Sequence, residues 1–415
     1  MKVVGIITEF NPFHKGHEYI IKKAKETTGA DYCIIITSGN FVQRGEPSFV
    51  DKYTKTFIAL KHGADLVIEL PVQFATASAE YFATCAVSIL NNMGIVNYLA
   101  FGVEDENIEI LENIVEILNN EQDEYKIALR QNVSSGLNYA SARAKALAEV
   151  LKNDDLDFIN KPNNILALEY LKALKKLNSS IEAVGIKRIK ADYHEEFSDT
   201  RDSLCASENR LFSASNIRKL NDEALKEILL SIDNEYLKNF GTAYPLKLSK
   251  SFSLLIGAEL VKAVNRGENP YFDVPDYLWD KICKNIYGYT DYEDFIMKLK
   301  SKEISYTTIS RALLHIGLNI TTEDIENIRK NNYGGYIRVL GFKNASKEIF
   351  TEIKKKSDVV IITKPKEYKN LLSEQGKVQF KQGLCADDLY RLCSSCDYKI
   401  TLPNEFMRKL IVLYE

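Results

Sequence analysis

The chain has 415 residues, 45% hydrophobic and 27% charged, the composition of a globular protein of two or three domains; collagen-like, low-complexity and disordered chains are excluded. Its 54 Lys+Arg against 57 Asp+Glu give a net charge of -3, so it is no polycation that coats nucleic acid indiscriminately, although a local basic face fits that balance. Seven cysteines scattered at 33, 85, 205, 283, 385, 393 and 396 make no small disulfide framework, and no run of about 18 apolar residues lacks a charge. With no cleavage site after MKVVGIITEF, these features predict a cytoplasmic protein without a signal peptide or membrane span.

Residues 2–8 are a β-branched run that predicts a first strand, and 15–28 place apolar side chains on one helical face before Gly29. The pattern then repeats. Strands are expected at 31–37, 64–70 and 97–102, with helices at 51–63 and 78–93 between them. Continuous buried strands alternating with helices imply α/β architecture, a doubly wound parallel sheet covered on both faces. Helices follow near 107–119, 123–132, 139–152 and 163–176, then a last strand near 181–188 and a short helix at 213–220. Beyond residue 221 the alternation gives way to helical patterns, which predicts a division into 1–220, catalytic, and 221–415, mostly helical. A small βαβ element is expected near 336–364 within the second part. Charge divides unevenly too: residues 1–220 carry 25 basic and 30 acidic side chains, whereas 298–381 carry 17 and 9. That basic stretch includes Lys354, Lys355, Lys356 and Lys364, and reads either as a solvated helix end favoured by the helix dipole or as a phosphate-contacting surface.

Chemistry concentrates between the first strand and first helix, in Thr8-Glu9-Phe10-Asn11-Pro12-Phe13-His14-Lys15-Gly16-His17. His14 and His17 lie three apart on one side of an opening helical turn, with Gly16 between them to let a ligand approach the backbone. The carboxyl edge of a parallel sheet binds ligands, and a helix amino terminus offers N–H groups and a positive dipole to phosphate. Taken alone, such a pair also reads as packing or a metal site. An imidazole pair here can instead hold a polyphosphate and stabilise charge on departing pyrophosphate.

His-x-Gly-His directly after a first strand resembles the signature of the nucleotidyltransferase superfamily that shares its core with class I aminoacyl-tRNA synthetases. Ser213-Ala214-Ser215-Asn216-Ile217-Arg218 is similar to that superfamily's second motif, with Ala at one usual hydroxyl position. The intervening segments narrow the likeness: Ser38-Gly39-Asn40-Phe41-Val42-Gln43-Arg44-Gly45-Glu46-Pro47, Gly63 to Pro71, Ser78 to Phe82, Lys161 to Leu166, Lys187-Arg188, Arg338 to Phe342 and Ile361 to Lys364. Over nearly its full length the chain resembles the bacterial tRNA(Met) cytidine acetate ligases. Phe101-Gly102-Val103-Glu104 departs from the family's Phe-Gly-Ser-Glu, losing a hydroxyl but keeping Gly102.

The resemblance implies an enzyme that activates acetate with ATP, with Mg2+, as acetyl-adenylate and transfers the acetyl group to N4 of the wobble cytidine of elongator tRNA(Met). It implies catalytic roles for His14, His17, Arg188 and Arg218. It also implies an ATP site of Ile7, Thr8, Glu9, Phe10, Asn11, Pro12, Phe13, His14, Lys15, Gly16, His17, Glu18, Tyr19 and Ile20, completed by Gly102, Asn163, Asn164, Arg188, Ser213, Ser215 and Arg218. Helix capping is the bland alternative for Asn163 and Asn164, an ion pair with Asp192 or Glu195 for Arg188, and a structural turn for Gln43, Arg44 and Glu46. Lys354, Lys355, Lys356 and Lys364 are the candidate tRNA contacts, and His315 is expected in the core. Cys385, Cys393 and Cys396 lack a fourth ligand nearby, so no protein metal site is expected. Two rival activities share these features: a ligase or adenylyltransferase acting on a small metabolite, and a nucleotide-sensing RNA-binding protein without catalysis.

Overall fold

The computed structural model describes residues 1–104, 108–120, 123–136, 139–151, 159, 161–187, 246 and 248–414. Its first half alternates as the sequence predicts: β1 (Val3–Thr8), α1 (Lys15–Thr28), β2 (Tyr32–Ser38), a two-stranded ribbon β3 (Phe41–Val42) and β4 (Glu46–Pro47), α2 (Lys52–Lys61), β5 (Leu66–Leu70), α3 (Val72–Ala75), α4 (Ala79–Asn92) and β6 (Tyr98–Val103). Helices α5 (Ile108–Asn120), α6 (Asp123–Ser134), α7 (Tyr139–Leu151) and α8 (Pro162–Lys176) precede β7 (Glu182–Lys187). The later helices are α9 (Lys250–Arg266), α10 (Asp276–Asn285), α11 (Tyr292–Leu299), α12 (Tyr306–Gly317) and α13 (Thr322–Lys330). The chain closes with β8 (Tyr336–Lys343), α14 (Glu348–Lys356), β9 (Val360–Ile362), α15 (Tyr368–Leu371), α16 (Glu374–Tyr398) and β10 (Ile411–Leu413). The short helix expected at 213–220 lies outside the described residues.

One sheet runs in the order β10-β8-β5-β2-β1-β6-β7, with β9 beside β8. Strands β5, β2, β1, β6 and β7 are mutually parallel, so their carboxyl ends share one edge. Alternate residues of each strand enter opposite cores, the signature of a sheet covered on both faces. Val3, Ile7, Ile34, Ile36, Leu66 and Ile68 pack toward α4. Val4, Ile6, Cys33, Ile35 and Val67 pack toward α1 and α2.

Two features depart from the sequence reading. The sheet is mixed, because β8 pairs antiparallel with β5, with Glu69 opposite Arg338. The βαβ element is present as β8–α14–β9, with β8 and β9 parallel, but it is not free-standing: β8 and β10 extend the sheet begun by β1. Strands from both sides of residue 220 therefore build one sheet, since an isolated three-residue strand such as β9 or β10 could not bury its apolar face alone.

Candidate active site

At the carboxyl end of β1 the chain turns sharply, with Phe10 at φ 47° and the Asn11-Pro12 peptide cis, before α1 begins. Phe10 and Phe13 are buried against each other, ring centroids 4.9 Å apart, and Asn11 Oδ1 accepts the Phe49 N–H at 2.7 Å. The turn is thereby anchored on both sides. His14 is the N-cap of α1, where Ser, Thr, Asp or Asn is the usual residue. Its Nδ1 accepts the Gly16 N–H at 3.1 Å, and His17 Nδ1 accepts the His14 N–H at 3.2 Å, a reciprocal capping box made of two imidazoles. The rings stack with centroids 3.8 Å apart.

This arrangement decides the tautomers. A ring nitrogen that accepts a hydrogen bond carries no proton, so each neutral imidazole holds its proton on Nε2 and is an N–H donor there. It also explains Gly16: a Cβ at that position would lie 2.9 Å from His14 Cε1 and 3.0 Å from its Nδ1. The room over Gly16 is occupied by the His14 ring, so the glycine serves the cap, whereas the sequence pattern alone has it serve a ligand.

The loop after β2 is pinned to this turn. Glu9 Oε1 accepts the Gln43 N–H at 2.6 Å, so Glu9 organises the neighbouring loop as well as standing next to the histidine motif. Gly45, at φ 77°, packs so tightly on α12 that a Cβ would lie 2.4 Å from the Arg311 backbone nitrogen. Its carbonyl accepts the Tyr292 and Ser310 hydroxyls at 2.9 and 3.0 Å. The turn reading of Gln43 to Glu46 is therefore what the structure contains, with Arg44 left exposed.

Of the other expected ATP-site residues, Thr8 and Glu9 stand at the carboxyl edge and Lys15 is exposed. Ile7 is buried toward α4, and Tyr19 and Ile20 pack against the α1 core, so their side chains serve packing. Pro12 is buried in the turn, and Glu18 lies 3.1 Å from His62 Nδ1. Gly102 is at the end of β6 beside Ile186 of β7. Asn163 and Asn164 are drawn together on Glu104: Asn163 Nδ2 donates to its Oε1 at 2.7 Å, and its N–H donates to Asn164 Oδ1 at 3.1 Å. Neither is the N-cap of α8, which is Lys161. Arg188, Ser213, Ser215 and Arg218 lie outside the described residues.

Two lysines of α2 escape sequence reasoning. Lys55, fully buried, donates to the carbonyls of Glu9 at 3.1 Å and of Ser38 and Gly39 at 2.8 Å each. Burial brings its pKa down to about 7, against the opposing pull of Glu9, Glu69 and Asp51. Lys52 lies 2.9 Å from Glu69, 2.6 Å from Asp387 and 3.2 Å from Glu405. Burial opposes its charge, but three carboxylates overcome that and raise its pKa well above the ordinary value. Arg338 joins the same buried cluster, 3.4 Å from Glu405. Nothing in an i, i+3 lysine pair on an amphipathic helix separates these from solvated lysines.

The candidate RNA lysines are elsewhere. Glu348, at the start of α14, accepts a hydrogen bond from Tyr32 at the start of β2, and Lys356 packs over Gly94, ahead of β6. Lys354, Lys355 and Lys356 thus flank the amino edge of the sheet, separated from the histidine motif by roughly 17 Å of strand at ~3.3 Å per residue. Lys355 lies 2.6 Å from Glu352, and Lys364 is exposed beyond β9. His315 is buried, stacked on Phe272 and hydrogen-bonded to Thr76 Oγ1 and the Phe272 carbonyl, as the apolar neighbours predict. Cys393 is buried and Cys385 and Cys396 are exposed on α16. Among the described residues no group of three or more His, Cys, Asp or Glu could hold a metal ion, and no helix is long and apolar enough to cross a membrane.

Residues 1–402 match the family model described as HIGH Nucleotidyl Transferase. A tRNA(Met) cytidine acetate ligase from Clostridium perfringens is 41% identical over 377 residues, covering 88% of this chain and 90% of that protein. The chain belongs to the tRNA(Met) cytidine acetate ligase family. A second family member, from Acetivibrio thermocellus, is 33% identical over the full length of both chains. Thermotoga maritima TmcAL, crystallised with alpha-thio ATP, aligns over the whole of both chains with a TM-score of 0.84 at 29% identity. The apo crystal structure of the same protein gives 0.86. These likenesses agree with the mixed, two-faced α/β sheet of this chain.

Proposed function

We propose that the protein ligates acetate to tRNA: it activates acetate with ATP and acetylates N4 of the wobble cytidine of elongator tRNA(Met), in the cytoplasm. The observation that carries this reading is the two-histidine cap, which turns a helix amino terminus into a site with two imidazole Nε2–H donors of defined tautomer. In the first step an acetate oxygen bonds to the α-phosphorus while the bond to the bridging oxygen of pyrophosphate breaks. His14 and His17 stabilise the charge developing on the phosphoryl oxygens, and positioning supplies most of the remainder. In the second step cytosine N4 attacks the acetyl carbon, the carbon–oxygen bond to AMP breaks, and N4 releases one proton.

In this reading Arg218 holds the outer phosphates, on the strength of the second motif, and Arg188 makes a charge-assisted contact to phosphate or the acyl-adenylate. Ser213 and Ser215 accompany Arg218 there. Asn163 and Asn164 act through Glu104, beside Gly102 at the end of β6. Mg2+ would accompany the triphosphate and neutralise part of its charge, a role that asks little of protein ligands. The division at residue 220 is kept as a functional one: nucleotide chemistry before it, and an RNA-contacting helical region after it.

The deciding experiment incubates the protein with ATP, radiolabelled acetate and elongator methionine tRNA. Acid-precipitable label on the RNA, dependent on ATP, is the expected result. ATP binding without RNA labelling would overturn the reading, and acetate-dependent pyrophosphate release that leaves RNA unlabelled would point to a small-metabolite acceptor.

A further inference from the structure

Lys55 bonds to the backbone of the loop that carries the two histidines. Its ammonium has three protons and three carbonyl partners: Glu9, in the turn leading to His14, and Ser38 and Gly39, at the end of β2. Those same two segments also meet through Glu9 Oε1 and the Gln43 N–H. A fully buried cation is costly unless the site requires it, and an apolar side chain of equal length would fill the same space. We propose that Lys55 is a positioning residue for nucleotide chemistry, its charged form clamping the loop after β1 to the loop after β2 so that the histidine cap is aligned on ATP. This rests on the adenylating function proposed above.

The clamp depends on protonation. Loss of one proton removes a donor and turns a nitrogen lone pair toward a carbonyl oxygen, an unsatisfied contact in a dry site. Glu9 from the β1 turn, Glu69 from β5 and Asp51 from the start of α2 favour the charged amine; burial and Lys52 oppose it, leaving its pKa at about 7. Bound triphosphate adds negative charge nearby and moves that titration upward. The clamp therefore closes when nucleotide is present and slackens as pH rises.

The test measures ATP affinity by calorimetry and acetate-dependent ATP/pyrophosphate exchange for the full chain and for Lys55→Met and Lys55→Arg, from about pH 6 to about pH 9. The unaltered protein is expected to lose exchange on a basic limb with its midpoint at or above about 7. Lys55→Met should lower exchange about 100-fold, with a flat profile, and weaken ATP binding about 10-fold. Lys55→Arg, charged at every pH tested, should restore at least a tenth of the activity and abolish the basic limb, a rescue that simple packing would not produce. Exchange and ATP affinity for Lys55→Met within about threefold of the unaltered protein, or an unchanged basic limb in Lys55→Arg, would overturn the proposal. If Lys55→Met fails to fold, the Lys55→Arg profile decides. If the unaltered protein binds ATP but never exchanges with acetate, the acetate reading fails and ATP affinity still decides the role of Lys55.

Discussion

The His14 ring caps α1, its Nδ1 accepting the Gly16 N–H, and the proposed adenylation gives its Nε2 a separable second task as a donor to phosphate. Asparagine is among the preferred N-caps, so His14→Asn keeps the cap and removes the donor. The melting temperature is expected to stay within a few degrees, whereas ATP/pyrophosphate exchange falls about 10²- to 10³-fold, the usual cost of deleting one such donor. His14→Ala should lose the exchange and about 0.5–2 kcal/mol of stability besides. Near-normal exchange by His14→Asn would detach His14 from the chemistry. The motif is readable residue by residue, because local spacing along one helical turn sets which ring meets which N–H. The environment of Lys55 is not: its three carbonyl partners come from two loops brought together only by strand pairing.

At the scale of elements, strands and helices of the first half follow their sequence patterns closely. Alternating burial on β1, β2 and β5 and the glycine after α1 are local signals, and Gly29 adopts the left-handed conformation expected of a helix stop. Helix α14 carries the lysine triad, and here pattern and position diverge. The charge run is plain in sequence, but its station along the amino edge follows from packing against Tyr32 and Gly94. In the proposed function it would meet a part of the tRNA well away from the wobble base. Reversing Lys354, Lys355 and Lys356 to Glu is expected to weaken tRNA binding and to flatten the plot of log affinity against log salt by about 0.7–0.9 for each phosphate no longer neutralised. An unchanged slope, with ATP/pyrophosphate exchange intact, would move the RNA surface to another face.

For the whole molecule, the buried cluster around Lys52 matters most. Glu69 from β5, Asp387 from α16 and Glu405 from the segment before β10 converge on one ammonium, with Arg338 of β8 beside them and Tyr53 donating to Glu405 at 2.8 Å. Removing a partner from a buried ionic cluster is far worse than replacing the whole of it. Lys52→Met is expected to lower stability to urea by about 3–5 kcal/mol and to expose the segment around Glu405 to proteolysis. A loss below about 1 kcal/mol would show that the carboxylates find other partners. The cluster lies one helical turn from Lys55, so the carboxyl-terminal segments brace the helix whose Lys55 ties the loop after β1 to the loop after β2.

Sequence by itself determined the alternating α/β order, the place of the two-histidine motif at the end of β1, and the family, since each of these is written in short-range periodicity and in residues a few positions apart. Tertiary structure alone decided that β8 and β10 complete the sheet of β1, that Lys52 and Lys55 are buried rather than solvated, and that the lysine triad flanks the opposite edge. The reason is physical: burial and ion pairing depend on which distant segments meet. Lys52 and Asp387 are 335 positions apart, and no spacing along the chain reports that they lie within 2.6 Å.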